Sequence, residues 1–533
     1  MTEGYPRADR RTAAIDEYIE RHPIIRRVFE LAAKRQVPLY LVGGSVRDML
    51  LGAETHDFDF AVEGDGLALG RYVANTLRGA YVPLDKERRT ARVLLSPQDT
   101  ARFYPPLTGT PPSGHVPAPP SQGLCLDIAA LRGDSLEADL RDRDFTINAM
   151  ALGRAVGERW VLFDPLHGSE DLANKVLRPG SPSSFVDDPV RTLRAARMHI
   201  QFGCAIEPDT RELMRCAVPL LGLVSAERVR DEWFKILDLP GAAGALRTMH
   251  QWTLLQAIVP QVSALDGLQQ PTPHRYDVLM HSFETVRAVE RLWDALQGRD
   301  ENALSLIPDA FGDLVPQVRE RYASPICADR SRLALLKCAA FLHDVGKGET
   351  QGARENGRTH FIGHERVGAD MAVRWARRWR CSNTEIDMLR TTVEAHMRPT
   401  WLAARGTPSR RAVYRYYRDT GEYGVDAVLV SLADCLATHG HDPPAGEWRR
   451  QVETAAWLLS AYYRHRETAI DPSPLISGHD LMEAFHLPPG RRIGELLARI
   501  REEQAAGEIH TPEEAMARAQ MWIEAQEKPE GTA

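Results

Sequence analysis

The stretch from Pro38 to Phe60 constrains the fold of this chain more than any other part of its sequence, PLYLVGGSVRDMLLGAETHDFDF. It starts with a run of strand-forming apolar residues, breaks at Gly43-Gly44, and continues with Ser45 and Asp48 in the spacing of a helix N-cap box. We therefore predict a strand, a glycine turn and a helix in that order. Glycines let the backbone approach an anion, and the free N–H groups of a helix N-terminus favour negative charge. The turn is a candidate phosphate site, with Gly44 and Arg47 as its contacts.

A second short strand is predicted directly after this helix, and it carries Asp57 and Asp59. Side chains alternate between the two faces of a strand, so both carboxylates share one face and Phe58 and Phe60 share the other. Neighbouring carboxylates repel each other unless a cation lies between them, and hard oxygen ligands suit Mg²⁺. A Gly-Gly pair or an Asp-x-Asp alone is a weak signal. Together they predict the phosphate cradle and metal clamp that nucleotidyl transfer requires.

Composition restricts the class of protein. A chain of 533 residues is too long for one core and predicts roughly three or four domains. Its content of 43% hydrophobic and 26% charged residues is typical of a folded soluble protein, and no run approaches the roughly 18 apolar residues of a membrane span. Seven scattered cysteines without a CxxC pair indicate reduced thiols in a cytoplasm. The net charge of −7 means that any RNA-binding surface must be a local basic face.

A third carboxylate is predicted on the same sheet. Asp127 lies in CLDIA, within an apolar run from Leu124 to Ala129 that favours a strand. Polymerase-like sites often take a third acid from a neighbouring strand, so Asp127 is a candidate. An edge-strand carboxylate in solvent is equally consistent with the pattern. The segment before it, 104–123, is rich in Pro, Gly and Ser and predicts a loop.

Two charged patterns further along the chain favour surface positions when read from the residues alone. The string DLRDRDFTINAMAL (139–152) predicts a short apolar helix behind alternating charges, with Arg143 and Asp144 as a solvated pair. The string FVDDPVRTLRAARMHIQFG (185–203) predicts one helix, on which Asp188, Arg191 and Arg194 recur every third position and share a ridge. An Asp–Arg pair on a solvated face is the simpler interpretation of that ridge.

Several strings, in order, resemble the class II tRNA nucleotidyltransferases (CCA-adding enzymes) and the bacterial poly(A) polymerases: LVGGSVRDMLLG…DFDF, RDFTINAMA, FDPLHGSEDL and FVDDPVRTLRAAR. The resemblance implies a multidomain chain with an α/β, polymerase-β-like nucleotidyltransferase head, an all-α neck, an all-α HD domain and a helical C-terminal region. The expected segments are an N-terminal helical segment (1–36), the head (37–153), a base-selecting, RNA-binding neck (154–270), the HD domain (271–440) and the C-terminal tail (441–533).

The resemblance also gives roles to the charged patterns. It implies that Arg143 and Asp144 contact the incoming nucleotide and its ribose. It implies that Asp188 and Arg191 hydrogen-bond the Watson–Crick edge of CTP or ATP, with Arg194 nearby. The chemistry is reasonable, because a carboxylate accepts from an exocyclic amine and a guanidinium donates to ring acceptors.

Another set of residues lies between 274 and 440. A lone histidine on a helix is more often a packed core residue than a ligand. A His, a His-Asp doublet and a late Asp in this order resemble the HD superfamily of phosphohydrolases, in which imidazoles and carboxylates hold a divalent metal that activates water. Two extra histidines resemble the variant that can hold two metals. The mixed N/O set suits Mn, Fe, Co, Ni or Zn, so the metal's identity stays open. The six residues are His281, His343, Asp344, His364, His396 and Asp434.

The resemblance implies an enzyme that adds C and/or A nucleotides from CTP and ATP to the 3′ end of tRNA, with Asp57, Asp59 and Asp127 as catalytic carboxylates and Mg²⁺ held by the first two. It also implies a second, phosphohydrolase activity in the HD domain. Two alternatives stay open: a poly(A) polymerase, and an HD phosphohydrolase whose head only binds RNA or nucleotides. The sequence does not distinguish CCA, CC, A and poly(A) addition, and it leaves the HD substrate and the oligomeric state open.

Overall fold

The computed structural model describes residues 8–103, 123–154, 159–299, 304, 306–327, 330–353 and 359–527. Its chain divides into two compact units, Met1–Val224 and Ser225–Ala533. The division falls inside the segment 154–270 that was predicted as one neck, and the bounds of the five predicted segments stay a prediction. The predicted loop at 104–123 lies, except for its last residue, outside the described residues.

The first unit combines a mixed sheet with short helices. Its helices are α1 (Ala8–Arg21), α2 (Pro23–Lys34), α3 (Gly44–Leu51), α4 (Gly66–Leu77), α5 (Pro97–Ala101), α6 (Leu136–Arg141), α7 (Gly168–Ala173), α8 (Ser184–Asp187), α9 (Arg191–Phe202) and α10 (Pro208–Ala217), with 3₁₀ turns at Thr146–Asn148 and Val218–Leu223. Its strands are β1 (Leu39–Val42), β2 (Asp57–Val62), β3 (Ala80–Asp85), β4 (Thr90–Leu95), β5 (Leu124–Ala130), β6 (Ala151–Arg154), β7 (Trp160–Phe163), β8 (Val176–Leu177) and β9 (Ala205–Ile206).

Seven strands form the main sheet, in the order β3-β4-β5-β2-β1-β6-β7. The pair β2–β5 is parallel and the other neighbours are antiparallel. The predicted alternation on β2 is confirmed, because Phe58 and Phe60 are buried while Asp57 and Asp59 are exposed. The N-terminal helices cover the apolar face: Phe29 of α2 contacts Phe60 edge-on, with ring centroids 6.1 Å apart.

The helix after the glycine turn begins two residues earlier than predicted. Its N-cap is Gly43, not Ser45, and no side chain caps it. Since the helix already includes Gly44, Ser45 lies within its first turn and its hydroxyl is free to bond elsewhere. That hydroxyl accepts a 2.8 Å hydrogen bond from the Asp59 N–H and donates one of 3.4 Å to the Asp57 carbonyl. Ser45 therefore ties the helix N-terminus to the strand that carries the two acids.

The apolar helix predicted within 139–152 is wrong. Helix α6 ends at Arg141, a 3₁₀ turn spans Thr146–Asn148, and strand β6 starts at Ala151. Ala151 and Leu152 pair with Val42 and Leu41 of β1. Sheet pairing at a fully buried position thus overrides the local helix propensity of Ala, Met and Leu.

The single helix predicted over 185–203 is also wrong. It is divided into α8 and α9, and Asp188 lies between them in an extended conformation (φ −145°, ψ 90°). The cause is Pro189, because a proline disfavours helical geometry in the residue before it. Asp188 therefore does not share a helical ridge with Arg191 and Arg194.

The second unit is largely helical. Its helices are α11 (Ala226–Asp238), α12 (Ala242–Gln251), α13 (Leu254–Ile258), α14 (Val278–Leu296), α15 (Leu306–Phe311), α16 (Val315–Ala323), α17 (Arg332–Leu342), α18 (Lys347–Thr350), α19 (His364–Arg378), α20 (Asn383–Ala395), α21 (Met397–Ala403), α22 (Arg410–Thr420), α23 (Gly424–Thr438), α24 (Ala445–Arg464), α25 (Gly478–Phe485), α26 (Arg491–Ala506) and α27 (Pro512–Glu527). Its short strands are β10 (Pro325–Cys327), β11 (Arg330–Ser331), β12 (Gly352–Ala353) and β13 (Thr359–His360), and further turns lie at Pro260–Ala264, Gly312–Leu314, Gly421–Tyr423 and Arg466–Ile470.

Apolar packing sets the positions of the helices that carry the HD residues. Helix α14 packs on α17 and α23, and α19 packs on α20. Phe283 of α14 and Phe341 of α17 stack with an interplanar angle of 15° and centroids 5.9 Å apart. Among the described residues, no helix has both the length and the apolar character that a membrane crossing needs.

Candidate active sites

The first candidate site lies in the middle of the main sheet, where β2 and β5 run in parallel. Asp59 on β2 is in register with Asp127 on β5, so the third predicted carboxylate is brought beside the Asp-x-Asp pair. Asp57 is two residues before Asp59 on the same face of β2. These three acids are the residues here that could hold a divalent cation, since their oxygens are hard ligands on rigid strands.

Asp59 is the acid with the most perturbed titration. Desolvation by surrounding atoms, followed by the charge of Asp127, raises the pKa of Asp59 to about 6, although part of the side chain stays open to solvent. Asp57 acts in the same direction, and Arg143 and Arg47 act against it. The ionised form of Asp59 is therefore less stable than that of a free carboxylate, and a cation beside it would relieve this cost.

Arg92 was not singled out from the sequence, yet it faces this carboxylate cluster. It lies on β4 opposite Asp127, and its Nε and Nη2 donate to Oδ1 and Oδ2 of Asp127, each at 2.8 Å. The signal that could have found it is a single arginine inside the apolar alternation TARVLL. A guanidinium can meet both oxygens of a carboxylate at once, so the pair fixes the orientation of Asp127.

Gly43, in the predicted phosphate turn, lies next to Arg143 of the RDFTINAMA string. Its φ of +70° favours glycine, and an added Cβ would come within 2.7 Å of the Arg143 guanidinium. Arg143 in turn donates to Oδ2 of Asp139 at 2.9 and 3.1 Å. The sequence pointed to Gly44, the first residue of α3, whereas Gly43 is the residue that needs to lack a side chain.

Arg47 lies inside the head rather than on its surface. Its Nη1 donates a 2.7 Å hydrogen bond to Oδ1 of Asn148, and its Nε donates to Asp48 at 2.9 Å. The guanidinium also lies 4.4 Å from the centre of the Phe202 ring. The same guanidinium lies 3.4 Å from the position of a Cβ on Gly44, so it adds positive charge next to the helix N-terminus.

Asp144 is a buried acceptor, not the solvated partner of Arg143 that the residues alone suggested. It accepts hydrogen bonds from Phe145 N, Asn148 Nδ2 and Arg194 Nη1, at 2.9, 3.0 and 2.9 Å. Burial favours the neutral acid, but Arg194 and these hydrogen bonds outweigh it and keep the pKa of Asp144 below its usual value. The network joins the 3₁₀ turn to helix α9.

Arg191 is held by neighbours other than Asp188. Its Nη1 donates to Ser184 Oγ and its Nη2 to the Asp142 carbonyl, both at 2.9 Å. The contact from Arg191 Nε to Asp188 Oδ2 is longer, at 3.8 Å. The structure therefore brings Asp188, Arg191 and Arg194 to one region at the start of α9, next to the segment that carries Arg143 and Asp144.

A cleft of about 750 Å³ opens beside the carboxylate cluster of β2 and β5. Asp59, Asp127 and Arg143 line it. Three further basic side chains on its walls, which sequence reasoning missed, are Arg88, Arg89 and Arg132. The lining also contains the acids Asp85, Glu87 and Asp142, so the cleft mixes four arginines with carboxylates. A bound cation would add the positive charge that a polyanion needs there.

The second candidate site lies in the second unit, where all six predicted HD residues meet. His281 comes from α14, His343 and Asp344 follow α17, His364 opens α19, His396 follows α20, and Asp434 lies on α23. Three overlapping groups of these residues each have their ligand atoms within 4.8 Å of one another. Asp344 is central: its Oδ2 lies 3.2 Å from His343 Nε2, and its Oδ1 lies 3.2 Å from His364 Nε2.

The histidines of this cluster are oriented for a cation. In three of them Nδ1 contacts a backbone carbonyl 2.7 to 2.8 Å away: His343 to Ala340, His364 to Phe361 and His396 to Val393. A ring nitrogen that faces a carbonyl carries the proton, so Nε2 is left as the lone-pair atom.

Those Nε2 atoms have no hydrogen-bond partner although they are buried, and the same is true of both ring nitrogens of His281 and of Asp344 Oδ1. Buried polar atoms without partners are costly, and metal coordination would satisfy the Nε2 atoms and Asp344 Oδ1. Burial and the nearby His343 lower the pKa of His396 to about 3, which keeps this ring neutral, as a metal ligand must be. The residues therefore fit a divalent metal.

The cluster opens into a cavity of about 550 Å³. Lys347 lies on its wall and donates to Asp344 Oδ2 at 2.5 Å and to Gln270 Oε1 at 2.7 Å. The cavity also has the side chains of His274 and His360 on its walls. The cavity therefore places histidines and a lysine, together with the acids Asp434 and Glu447, beside the metal-binding cluster.

Comparison with family models agrees with this division of sites. Residues 39–178 match the poly A polymerase head domain, and residues 203–265 match the probable RNA and SrmB-binding site of polymerase A. Residues 278–439 match the HD domain, and residues 449–519 match the putative domain 2 of tRNA nucleotidyltransferases.

Whole-chain comparison finds relatives of similar length. The A-adding tRNA nucleotidyltransferase of Deinococcus radiodurans is 34% identical over 91% of this chain and 95% of its own. The CC-adding tRNA nucleotidyltransferase of Geobacter sulfurreducens is 28% identical over 92% of this chain and 94% of its own. Among solved structures, a CCA-adding enzyme in complex with ATP has the same fold, with a TM-score of 0.60 at 22% identity over 95% of this chain and 98% of that one.

Proposed function

Since this chain belongs to the family of class II tRNA nucleotidyltransferases and bacterial poly(A) polymerases that carry an HD domain, we propose that it adds C and/or A nucleotides from CTP or ATP to the 3′ end of tRNA. The observation that carries the proposal is the register of Asp59 with Asp127, beside Asp57 and the arginines of the cleft. The higher identity to an A-adding relative than to a CC-adding one favours the terminal A as the product.

In the proposed reaction, the 3′-hydroxyl of the tRNA attacks the α-phosphorus of the nucleotide, the bond to the β-phosphate oxygen breaks, and pyrophosphate leaves. When bound, Mg²⁺ supplies Lewis acidity to the hydroxyl and positive charge to the triphosphate. Asp57 and Asp59 would hold the Mg²⁺. Asp127 would be the third carboxylate, and its two hydrogen bonds from Arg92 fix its orientation. The hydroxyl of Ser45 hydrogen-bonds to the backbone of Asp57 and Asp59, so it fixes these two residues next to the N-terminus of α3.

The remaining residues bind the nucleotide. We infer that the α3 N-terminus at Gly44, together with Arg47 and Arg143, contacts the phosphates, because both guanidinium groups lie next to the Gly43-Gly44 turn. Asp144 is held in its ionised form and is suited to accept a ribose hydroxyl.

Asp188 and Arg191 are proposed to hydrogen-bond the base, with Arg194 bracing Asp144. The donors of Arg191 that now bond Ser184 and the Asp142 carbonyl are those that would turn to the base edge.

The direct test is nucleotide incorporation on tRNAs that lack the terminal A, CA or CCA, each offered with single NTPs and with CTP and ATP together. We expect addition that stops at the mature CCA end and excludes GTP and UTP. Continued addition of A beyond that end would assign a poly(A) polymerase. If the protein hydrolyses phosphate esters but incorporates no nucleotide into any of these tRNAs, the head would be a module that only binds RNA or nucleotides.

A second activity is proposed for the HD cluster, because its unpartnered Nε2 atoms and Asp344 fit a divalent transition metal within a cavity. The metal would supply a nucleophile from water. The chain's own residues would orient the ester, with Lys347 neutralising charge on its phosphoryl oxygens. Release of phosphate from small nucleotide monoesters and cyclic diesters, assayed with Mn²⁺, Co²⁺, Ni²⁺ and Zn²⁺ in turn, tests this proposal.

A further inference from the structure

A second group of metal-ligating side chains lines the same cavity as the HD cluster. Cys435 and His439 lie one helical turn apart at the end of α23, and Glu447 lies in the first turn of α24. One ligand atom from each, a thiol sulfur, a ring nitrogen and a carboxylate oxygen, lies within 4.8 Å of the other two. All three residues face the cavity that Asp344 and His364 also line.

The ring of His439 is oriented like the HD histidines. Its Nδ1 contacts the carbonyl of Cys435 at 3.1 Å, so Nδ1 carries the proton and Nε2 is the lone-pair atom. Nε2 lies 3.7 Å from Oε2 of Glu447, too far for a hydrogen bond and close enough for both atoms to bind one ion. Histidines in metal sites are held in this way, with the second ring nitrogen bonded to a carbonyl or carboxylate.

The ligand atoms of this group differ from those of the HD cluster because they include a sulfur, from Cys435. Among the described residues, this is the one group of three metal-ligating side chains that contains a cysteine. Thiolate, imidazole and carboxylate together suit Zn²⁺, and three protein ligands with an open fourth position are the pattern of an accessible zinc site. Cys435 is buried and Glu447 is half-buried, so the sulfur side of the group is shielded and the carboxylate side meets the cavity.

We propose that Cys435, His439 and Glu447 form a zinc site in the wall of the HD cavity, separate from the His/Asp cluster. An ion there adds positive charge to a cavity that already contains Asp344 and Asp434, and so favours anionic ligands in it. The proposal does not depend on either proposed activity, because metal binding is measured without substrate.

The test uses the full chain, stripped of metal by a chelator and titrated with Co²⁺. A cobalt ion bound to a thiolate gives a strong sulfur-to-cobalt charge-transfer band in the near ultraviolet, which a site of histidines and aspartates cannot give. We expect the wild-type protein to show this band and Zn²⁺ to remove it by displacement. The absence of the band in the wild-type protein would overturn the proposal.

Variants assign the band to the site. Cys435→Ser should lose it, whereas Cys125→Ser, beside the head carboxylates, and Asp344→Asn, in the HD cluster, should keep it. Glu447→Gln changes a half-buried side chain and tests the site without altering the buried cysteine; it should weaken Co²⁺ binding by roughly tenfold or more. A band that survives Cys435→Ser, or that disappears in Cys125→Ser, would contradict the assignment.

Discussion

Arg92 and Asp127 are joined by two parallel hydrogen bonds, Nε to Oδ1 and Nη2 to Oδ2, each 2.8 Å long. Asp127 is also in register with Asp59. Arg92 therefore compensates the charge of Asp127, which would otherwise add to the repulsion between Asp57 and Asp59. A carboxylate has about four lone-pair positions, so Asp127 can accept from Arg92 and still face a cation.

This arrangement gives a prediction for Asp127→Asn. The amide keeps the shape but removes the charge, so incorporation should fall by roughly 10- to 100-fold and the Mg²⁺ concentration for half-maximal rate should rise. Rates of single-nucleotide addition across a Mg²⁺ titration measure both. Asp134→Asn, an exposed acid of the same unit, is the matched control and should leave both values unchanged. An unchanged Mg²⁺ dependence in Asp127→Asn would make this acid a structural partner of Arg92 alone.

Base selection is predicted to depend on Asp188 and Arg191. Alanine at either position should reduce discrimination against GTP and UTP, because the groups that would pair with the Watson–Crick edge are removed. Loss of one charge-assisted recognition contact corresponds to roughly tenfold or more in the ratio of kcat/KM values.

The control for these variants is Arg197→Ala on the same helix. Arg197 pairs with Gln201 on an exposed face, and its loss should leave selectivity unchanged. Melting temperatures separate misfolding from lost selectivity. Variants at Asp188 and Arg191 that fold and still exclude GTP and UTP would refute the assignment.

The two proposed activities should be separable. Asp344→Asn removes the acid that contacts His343, His364 and Lys347, so phosphohydrolysis should fall below detection and bound transition metal should decrease. Nucleotide incorporation should continue at the wild-type rate, because its carboxylates lie in the other unit. A parallel loss of incorporation in a folded variant would show that the activities share a site.

A buried ion pair in the second unit predicts a pH-dependent stability. Glu385 is fully buried and accepts hydrogen bonds from Arg330 Nη2 at 2.8 Å and from Ser382 N at 2.7 Å. Burial favours the neutral acid, but these partners outweigh it and lower the pKa of Glu385. Breaking a buried pair by removing one charge costs about 3 kcal/mol or more, so Glu385→Gln should lower the free energy of unfolding at neutral pH by about that amount.

The direction of this pH dependence follows from the lowered pKa of Glu385. The pair stabilises the folded state above the unfolded carboxyl pKa of about 4.3, and this stabilisation is lost as the pH falls through the lower folded value. The difference between wild type and Glu385→Gln in urea unfolding should therefore shrink on acidification. Glu394→Gln, an exposed position on the same helix, should change the free energy by less than about 1 kcal/mol at any pH. An equal difference at neutral and acid pH would contradict the ion-pair explanation.

Sequence patterns predicted the parts of the sites that depend on local order. The alternation of Asp57 and Asp59 with two phenylalanines and the strand of Asp127 lie where their spacing indicated. The six HD residues, by contrast, were identified from the family resemblance, and the structure brings them together from separate helices. Period-two alternation and apolar helix faces are local properties, so they can be read without tertiary information.

What could not be predicted depends on partners distant in sequence. Arg92 and Asp127 are 35 residues apart, and Arg194 and Asp144 are 50 residues apart, so neither pair has a local signature. The 139–152 string was assigned to a helix because its residues are good helix formers, while pairing of Leu152 with Leu41 made it a strand. Ser45 was assigned as a cap because its spacing from Asp48 fits, while the backbone of Asp57 and Asp59 competes for its hydroxyl.

The most direct test is single-nucleotide incorporation by Asp57→Ala and Asp59→Ala on tRNA that lacks only the terminal A. HD phosphohydrolysis is measured on the same preparations, and Asp134→Asn is the control. We predict that both variants lose incorporation by at least about 1,000-fold and keep phosphohydrolysis, because each loses a carboxylate that holds the cation. Incorporation near the wild-type rate in either folded variant would contradict the assignment of catalysis to the carboxylates of β2.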